Sequence, residues 1–121
     1  MFESRIFVLG VPTSPVKRPW NDLCNDLKGA VSFAYMRRVI KPEEIDATYI
    51  SANRTSLRVE VTVYGPTWTK EEKHNLSVLV TYLMDKEFPE DVNACWIVDR
   101  DSKVETHFVH NPEHKQMRVT G

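Results

Sequence analysis

Hydrophobic residues change their spacing along the chain in a way that divides it into elements. Residues 5–11 (RIFVLGV) form a nearly continuous apolar run, the pattern of a central strand buried on both faces. Pro12, Pro15 and Pro19 then impose a loop. From Trp20 onward, Leu23, Cys24, Leu27, Val31, Ala34 and Tyr35 recur at helical spacing. They predict a first helix starting at Pro19 or Trp20 and running to about Arg38. Gly29 leaves an alternative open, in which the helix stops there and residues 30–40 form a strand. Pro42 closes the segment in either case.

Two strands are predicted next, over residues 47–52 (ATYISA) and 57–64 (LRVEVTVY), around the polar turn Asn53-Arg54-Thr55-Ser56. The second alternates cleanly. Leu57, Val59, Val61 and Val63 share one face, and Arg58, Glu60, Thr62 and Tyr64 share the other. After Gly65-Pro66, Thr69 and Glu72 form a capping box that opens a helix with a stripe of Leu76, Leu79, Val80, Leu83 and Met84. That helix ends before Pro89. Residues 92–99 and 104–110 read as a second hairpin around Arg100-Asp101-Ser102-Lys103, and residues 111–121 as a polar arm or tail. The order β-α-β-β-α-β-β predicts an α+β fold with a ferredoxin-like antiparallel sheet and both helices on one face. The opposite face is left for a ligand, a partner or a second subunit.

Composition narrows the classes. With 121 residues, 41% hydrophobic and 27% charged, the chain suits one globular domain over residues 1–121. Sixteen basic against seventeen acidic residues argue against a nucleic-acid coat. The charge is uneven, however: residues 1–41 sum to +4 and the remainder to −5, as sites for anions or complementary subunit faces do. Two cysteines, Cys24 and Cys95, are too few for a disulfide scaffold. No apolar run approaches the length of a membrane span, and no signal-peptide pattern opens the chain. The expectation is a soluble cytoplasmic domain.

Candidate chemistry is sparse. A hairpin centred on Arg54-Thr55 would set Tyr49 directly opposite Glu60, both on the open face. A carboxylate in mid-strand beside a phenol is the best polar pair in the chain. His107, His110 and His114 do not share a strand face and lack a completing ligand, so no metal is expected. With four glycines in all there is no phosphate-cradling loop. Arg37, Arg38, Lys41, Arg54 and Arg58, with Phe33 and Tyr35, give a nucleic-acid alternative that lacks the aromatic-and-basic strand motif of RNA-recognition domains.

The stretch from Thr48-Tyr49-Ile50-Ser51 to Val59-Glu60-Val61-Thr62-Val63 resembles the small bacteriophage enzymes that degrade S-adenosylmethionine (SAM). Those enzymes pair a tyrosine with a carboxylate eleven residues on, inside a similar layout. The resemblance implies a SAM lyase with an anti-restriction role. In it the substrate carboxylate attacks its own Cγ, giving homoserine lactone and 5′-methylthioadenosine. It also implies a trimer with sites between subunits, and no cofactor beyond the substrate. Glu60 and Tyr49 would be the catalytic pair, with Phe7, Arg58 and Thr62 binding SAM. Lyase and hydrolase are not separated by these residues. The rival readings are a non-enzymatic module that binds a host protein through the open sheet face, and an RNA- or DNA-binding domain.

Overall fold

The computed structural model describes residues 3–13, 15–51, 57–91, 93–101 and 105–109. Its elements are β1 (Ser4–Leu9), α1 (Trp20–Ala34), β2 (Ile45–Ile50), β3 (Leu57–Val63), α2 (Lys70–Glu87), β4 (Asn93–Asp99) and β5 (Glu105–Val109). Single 3-10 turns precede β2 and α2, at Pro42–Glu44 and Gly65–Thr67.

The element order and the placement of both helices on one face follow the sequence reading, and the sheet pairing does so only for the last two strands. Five strands lie in the order β2-β1-β3-β4-β5. β1 runs parallel to β2 and β3 parallel to β4, each pair joined through a helix, while β1 and β3 meet antiparallel. The sheet is therefore mixed where an antiparallel one was expected. The hairpin predicted between the second and third strands does not form, because β1 lies between them. The helical crossover from β1 returns the chain parallel to it and sets β2 on the outer edge. β4 and β5 do form the expected antiparallel hairpin. The turn at residues 53–56, the segment 111–121 and the histidines at 110 and 114 lie outside the described residues.

The core fills the space between the sheet and the two helices. Ile6, Val8, Leu57, Val59, Val61, Val63, Cys95 and Ile97 supply the sheet side. Leu23, Leu27, Val31, Leu76, Val80 and Met84 supply the helix side, with Leu79 and Leu83 packed at its margin. β1 alternates instead of being buried on both faces: Ser4, Ile6 and Val8 are buried, and Arg5, Phe7 and Leu9 are not. Its apolar run matches a strand covered twice, but both helices lie on one side. Cys24 and Cys95 are free and buried, and burial pushes both thiols up from their ordinary range.

α1 begins at Trp20 as expected and passes through Gly29, but it stops at Ala34, short of Arg38. The reason is tertiary. The Met36 amide, which would have continued the helix, donates to Glu72 Oε2 at 2.9 Å, and the Tyr35 ring packs on Trp68 with centroids 4.9 Å apart. Glu72 also completes the capping box of α2. Its Oε1 accepts from the Thr69 amide at 2.8 Å, and its own amide donates to Thr69 Oγ1 at 3.1 Å. One carboxylate thus ends the first helix and starts the second.

Two glycines are dictated by geometry. Gly10 closes β1 with a φ of 122°, a value that other residues rarely adopt. At Gly65 an added Cβ would lie 1.8 Å from Asp99 Oδ2. That carboxylate is held by Lys73 Nζ at 3.4 Å and accepts the Asp101 amide at 3.0 Å. Gly65→Ala is expected to lower stability by about 1–3 kcal/mol, read by urea unfolding. Its cost should shrink in an Asp99→Ala background, and an equal cost in both backgrounds would refute the clash.

Candidate functional site

The face of the sheet turned away from the helices is a grid of cross-strand rows. Thr48, Phe7, Glu60 and Trp96 stand at matched positions from β2 to β4, and His107 occupies the next position on β5. A neighbouring row runs Ile50, Leu9, Arg58, Ala94, and the other runs Asp46, Arg5, Thr62, Val98. Antiparallel and parallel pairing alike keep directly opposed residues on one side of a sheet, so the side chains of these rows on β1 to β4 share the open face.

At its centre Arg58 and Glu60 form an ion pair, Nη2 to Oε2 at 3.0 Å. The Arg58 guanidinium carbon lies 4.1 Å from the centroid of the Trp96 ring, within reach of its negative face. Arg58 is only 17% exposed and Glu60 30%. Its Nε–H is buried and has no acceptor among the described residues. Around the pair stand Phe7, Leu9, Ala94 and Val98, each half-buried. A part-buried charged pair flanked by apolar side chains is costly to leave there, which marks it as the most unusual polar feature of this face.

Arg58, Glu60 and Thr62 share this face as the alternation of β3 predicts, and Phe7 stands opposite Glu60 on it. Tyr49 does not join them. It pairs with Val8, which in turn pairs with Val59, so it points into the helix side of the sheet. Its ring stacks on Trp20 at 3.7 Å with the planes 7° apart, and its hydroxyl donates to the Gly10 carbonyl. The pairing of Tyr49 with Glu60 rested on a hairpin register, and with β1 interposed that register no longer exists. Within one chain the two side chains stand on opposite faces of the sheet. Trp96 was not singled out from the sequence. The signal for it, an aromatic in the even phase of the strand 92–99, becomes visible only once β4 is known to pair with β3 in register.

Among the described residues no three His, Cys, Asp or Glu side chains are grouped to hold a metal ion. No helix among them is long and apolar enough to cross a membrane.

No protein-family model matches the chain. No curated protein matches it either. Several solved structures do share its fold. Pt0534, in a form inactivated by 2-oxo-3-pentynoate, is 12% identical with a TM-score of 0.61, over 78% of this chain and 84% of that one. A wild-type fused 4-OT, described as a symmetric trimer, is 14% identical with a TM-score of 0.62, again over 78% and 84%. Malonate semialdehyde decarboxylase is 9% identical with a TM-score of 0.54, over 80% of this chain and 86% of its own. At such identities the likeness establishes a common fold and nothing finer.

Proposed function

We propose that this chain is the subunit of a homo-oligomeric enzyme that binds a small oxo acid on the open sheet face and moves a proton beside its carbonyl group. The observation that carries this reading is the part-buried Arg58–Glu60 pair beside Phe7, Leu9 and Trp96, with the Arg58 Nε–H lacking an acceptor among the described residues. A guanidinium offers a planar fork of donors that suits a carboxylate. A small rotation off Trp96 would present that fork to the carboxylate of a ligand. Glu60 would then take a proton from the carbon next to the carbonyl. The C–H bond breaks, the proton passes to a Glu60 oxygen, and the electron pair moves onto the carbonyl oxygen as an enolate. Return of the proton to oxygen or carbon completes the cycle without any other reactant.

The neighbours in fold support the class of ligand. One is inactivated by 2-oxo-3-pentynoate and another acts on malonate semialdehyde, both small oxo acids. The latter has also been studied with the proline at its position 1 replaced by alanine. In this chain the proton acceptor is assigned to Glu60, the carboxylate beside Arg58 on the open face. The trimeric neighbour supports an oligomer. A second copy covering the open face would take Phe7, Leu9, Trp96 and Val98 out of water and strengthen the electrostatics at the pair.

The test follows the C3 protons of 2-oxobutanoate by NMR in deuterated buffer. The wild type should exchange them well above the buffer rate. Glu60→Gln should lose about 10²–10⁴-fold of the enhancement, and Arg58→Ala should raise KM while sparing much of kcat. No exchange above buffer by the wild type would overturn the activity, and a monomer in sedimentation would overturn the assembly. Cleavage of SAM, which the resemblance implies, keeps only Glu60 of its pair on this face. Release of methylthioadenosine from SAM, lost in Glu60→Gln, would replace the present reading with the lyase.

A further inference from the structure

Arg58 reaches its partners by leaning along the sheet. The residue directly opposite it on β4 is Ala94, and Trp96 lies two positions farther on, opposite Glu60. The methyl group of Ala94 fills little of the space beside Arg58. The arginine stem can therefore lie toward β4 and bring the guanidinium carbon within 4.1 Å of the Trp96 ring centroid. The same lean carries Nη2 to Glu60 Oε2 at 3.0 Å. A small residue followed by the largest one, in the phase of β4 that faces Arg58, is what lets both contacts form together.

The two contacts restrain Arg58 differently. The ion pair engages Nη2 in a fixed direction and weakens when a second carboxylate competes for the same donors. A π face attracts a cation with little regard to how the cation is turned, out to about 6 Å from the ring centre. From 4.1 Å the guanidinium can shift by about an ångström and stay in contact. Burial makes the ring count. Arg37, 47% exposed, lies 5.0 Å from the Tyr35 centroid, where water competes for the charge, whereas Arg58 is 17% exposed.

The Arg58 Nε–H is buried and has no acceptor among the described residues. The donor that a carboxylate needs is thus present but turned away from water, one small rotation from use. An arginine free in solvent loses much rotamer freedom when a ligand fixes it. One already confined by a ring loses less, and the difference appears as affinity.

We propose that Trp96 is a positioning residue for Arg58: its ring confines the guanidinium so that a small turn brings Nε–H to the carboxylate of the bound oxo acid. This rests on the oxo-acid reading of the open face and adds to it the residue that sets affinity for the carboxylate. Trp96 acts through Arg58 and touches neither the proton that moves nor the carbonyl.

The experiment reads the Arg58 Nε–H as the proton–nitrogen NMR cross-peak that Arg58→Lys removes. In the wild type this peak should lie upfield of free arginine, shielded by the ring, and move downfield as 2-oxobutanoate is added. Trp96→Leu and Trp96→Met keep apolar bulk without a π face. Each should return the resting peak toward free arginine and weaken 2-oxobutanoate binding about tenfold. KM for proton exchange should rise by the same factor, with kcat within about threefold of wild type. Trp96→Phe, which keeps a π face, should bind within about threefold of wild type. Unchanged or tighter binding in Trp96→Leu and Trp96→Met, or Trp96→Phe as weak as they are, would overturn the role of Trp96. A wild type that binds 2-oxobutanoate with the downfield shift yet exchanges no protons would overturn the reaction and leave that role standing. No shift in the wild type would overturn both.

Discussion

Glu72→Ala is expected to cost the fold about 3 kcal/mol or more, because the carboxylate serves three separated partners at once. It is nearly inaccessible to water and accepts from the Met36 and Thr69 amides and from Arg37 Nη2, the last at 3.1 Å. Removing it leaves two backbone donors at a helix end and a helix start without partners, and frees Arg37 to solvent. Burial alone would push this carboxyl up. The amides of Thr69 and Met36, the Thr69 side chain and Arg37 outweigh it and hold the group below its usual 4.5. A lowered folded-state value means the stabilisation is fully present above the unfolded value of about 4.5 and is lost as pH falls through the folded one. Chemical unfolding between pH 7 and pH 3 should therefore show the wild type losing stability faster than Glu72→Gln below about pH 5. Parallel pH profiles would show that Glu72 is not the group that responds.

Phe88→Ala should cost about 3–5 kcal/mol, the range for emptying a large buried aromatic site. Phe88 is 1% exposed and is the largest of the fully buried side chains. Its position is set at both ends: its amide donates to the Met84 carbonyl at 2.7 Å, and its own carbonyl accepts from the Asp91 amide and from Asn93 Nδ2. The ring lies 5.6 Å from Trp20, which is itself stacked on Tyr49. Loss of the ring therefore removes the support beneath that stack. Near-ultraviolet circular dichroism should weaken along with the unfolding midpoint, and Phe88→Leu should recover most of the stability and little of the signal. An unchanged aromatic signal in Phe88→Ala would separate the stack from the core.

What could be read from the residues alone follows from how local each cause is. The Thr69–Glu72 cap and the period-two pattern of β3 depend on neighbours within four residues, and both stand as anticipated. The end of α1 depends on Glu72, thirty-six residues from the Met36 amide it captures, and was placed too late. Strand pairing is less local still. Tyr49 and Glu60 are separated by a turn in sequence but by the whole of β1 in space, so the alternation read for β3 holds while the face inferred for Tyr49 from its pairing with Glu60 does not. Glu60, Arg58 and Thr62 were legible as a face because alternation within β3, and the apolar character of its opposite phase, suffice to define one, whereas the face of Phe7 was hidden by the continuous apolar run of β1. Trp96 required knowing which strand lies beside β3.

The antiparallel meeting of β1 and β3 divides the molecule into two halves of like construction, strand-helix-strand and strand-helix-strand, joined along their first strands. Neither half can shield its inner edge alone. A free β1-α1-β2 piece would expose the row of amides and carbonyls that β3 occupies, and β3-α2-β4 the row that β1 occupies. Each is also too short to bury a sufficient core by itself. The central seam, made of residues far apart in sequence, is thus the step at which both halves become protected together. Before it closes, two complementary sticky edges of the same chain compete with those of its neighbours, and its closure removes both.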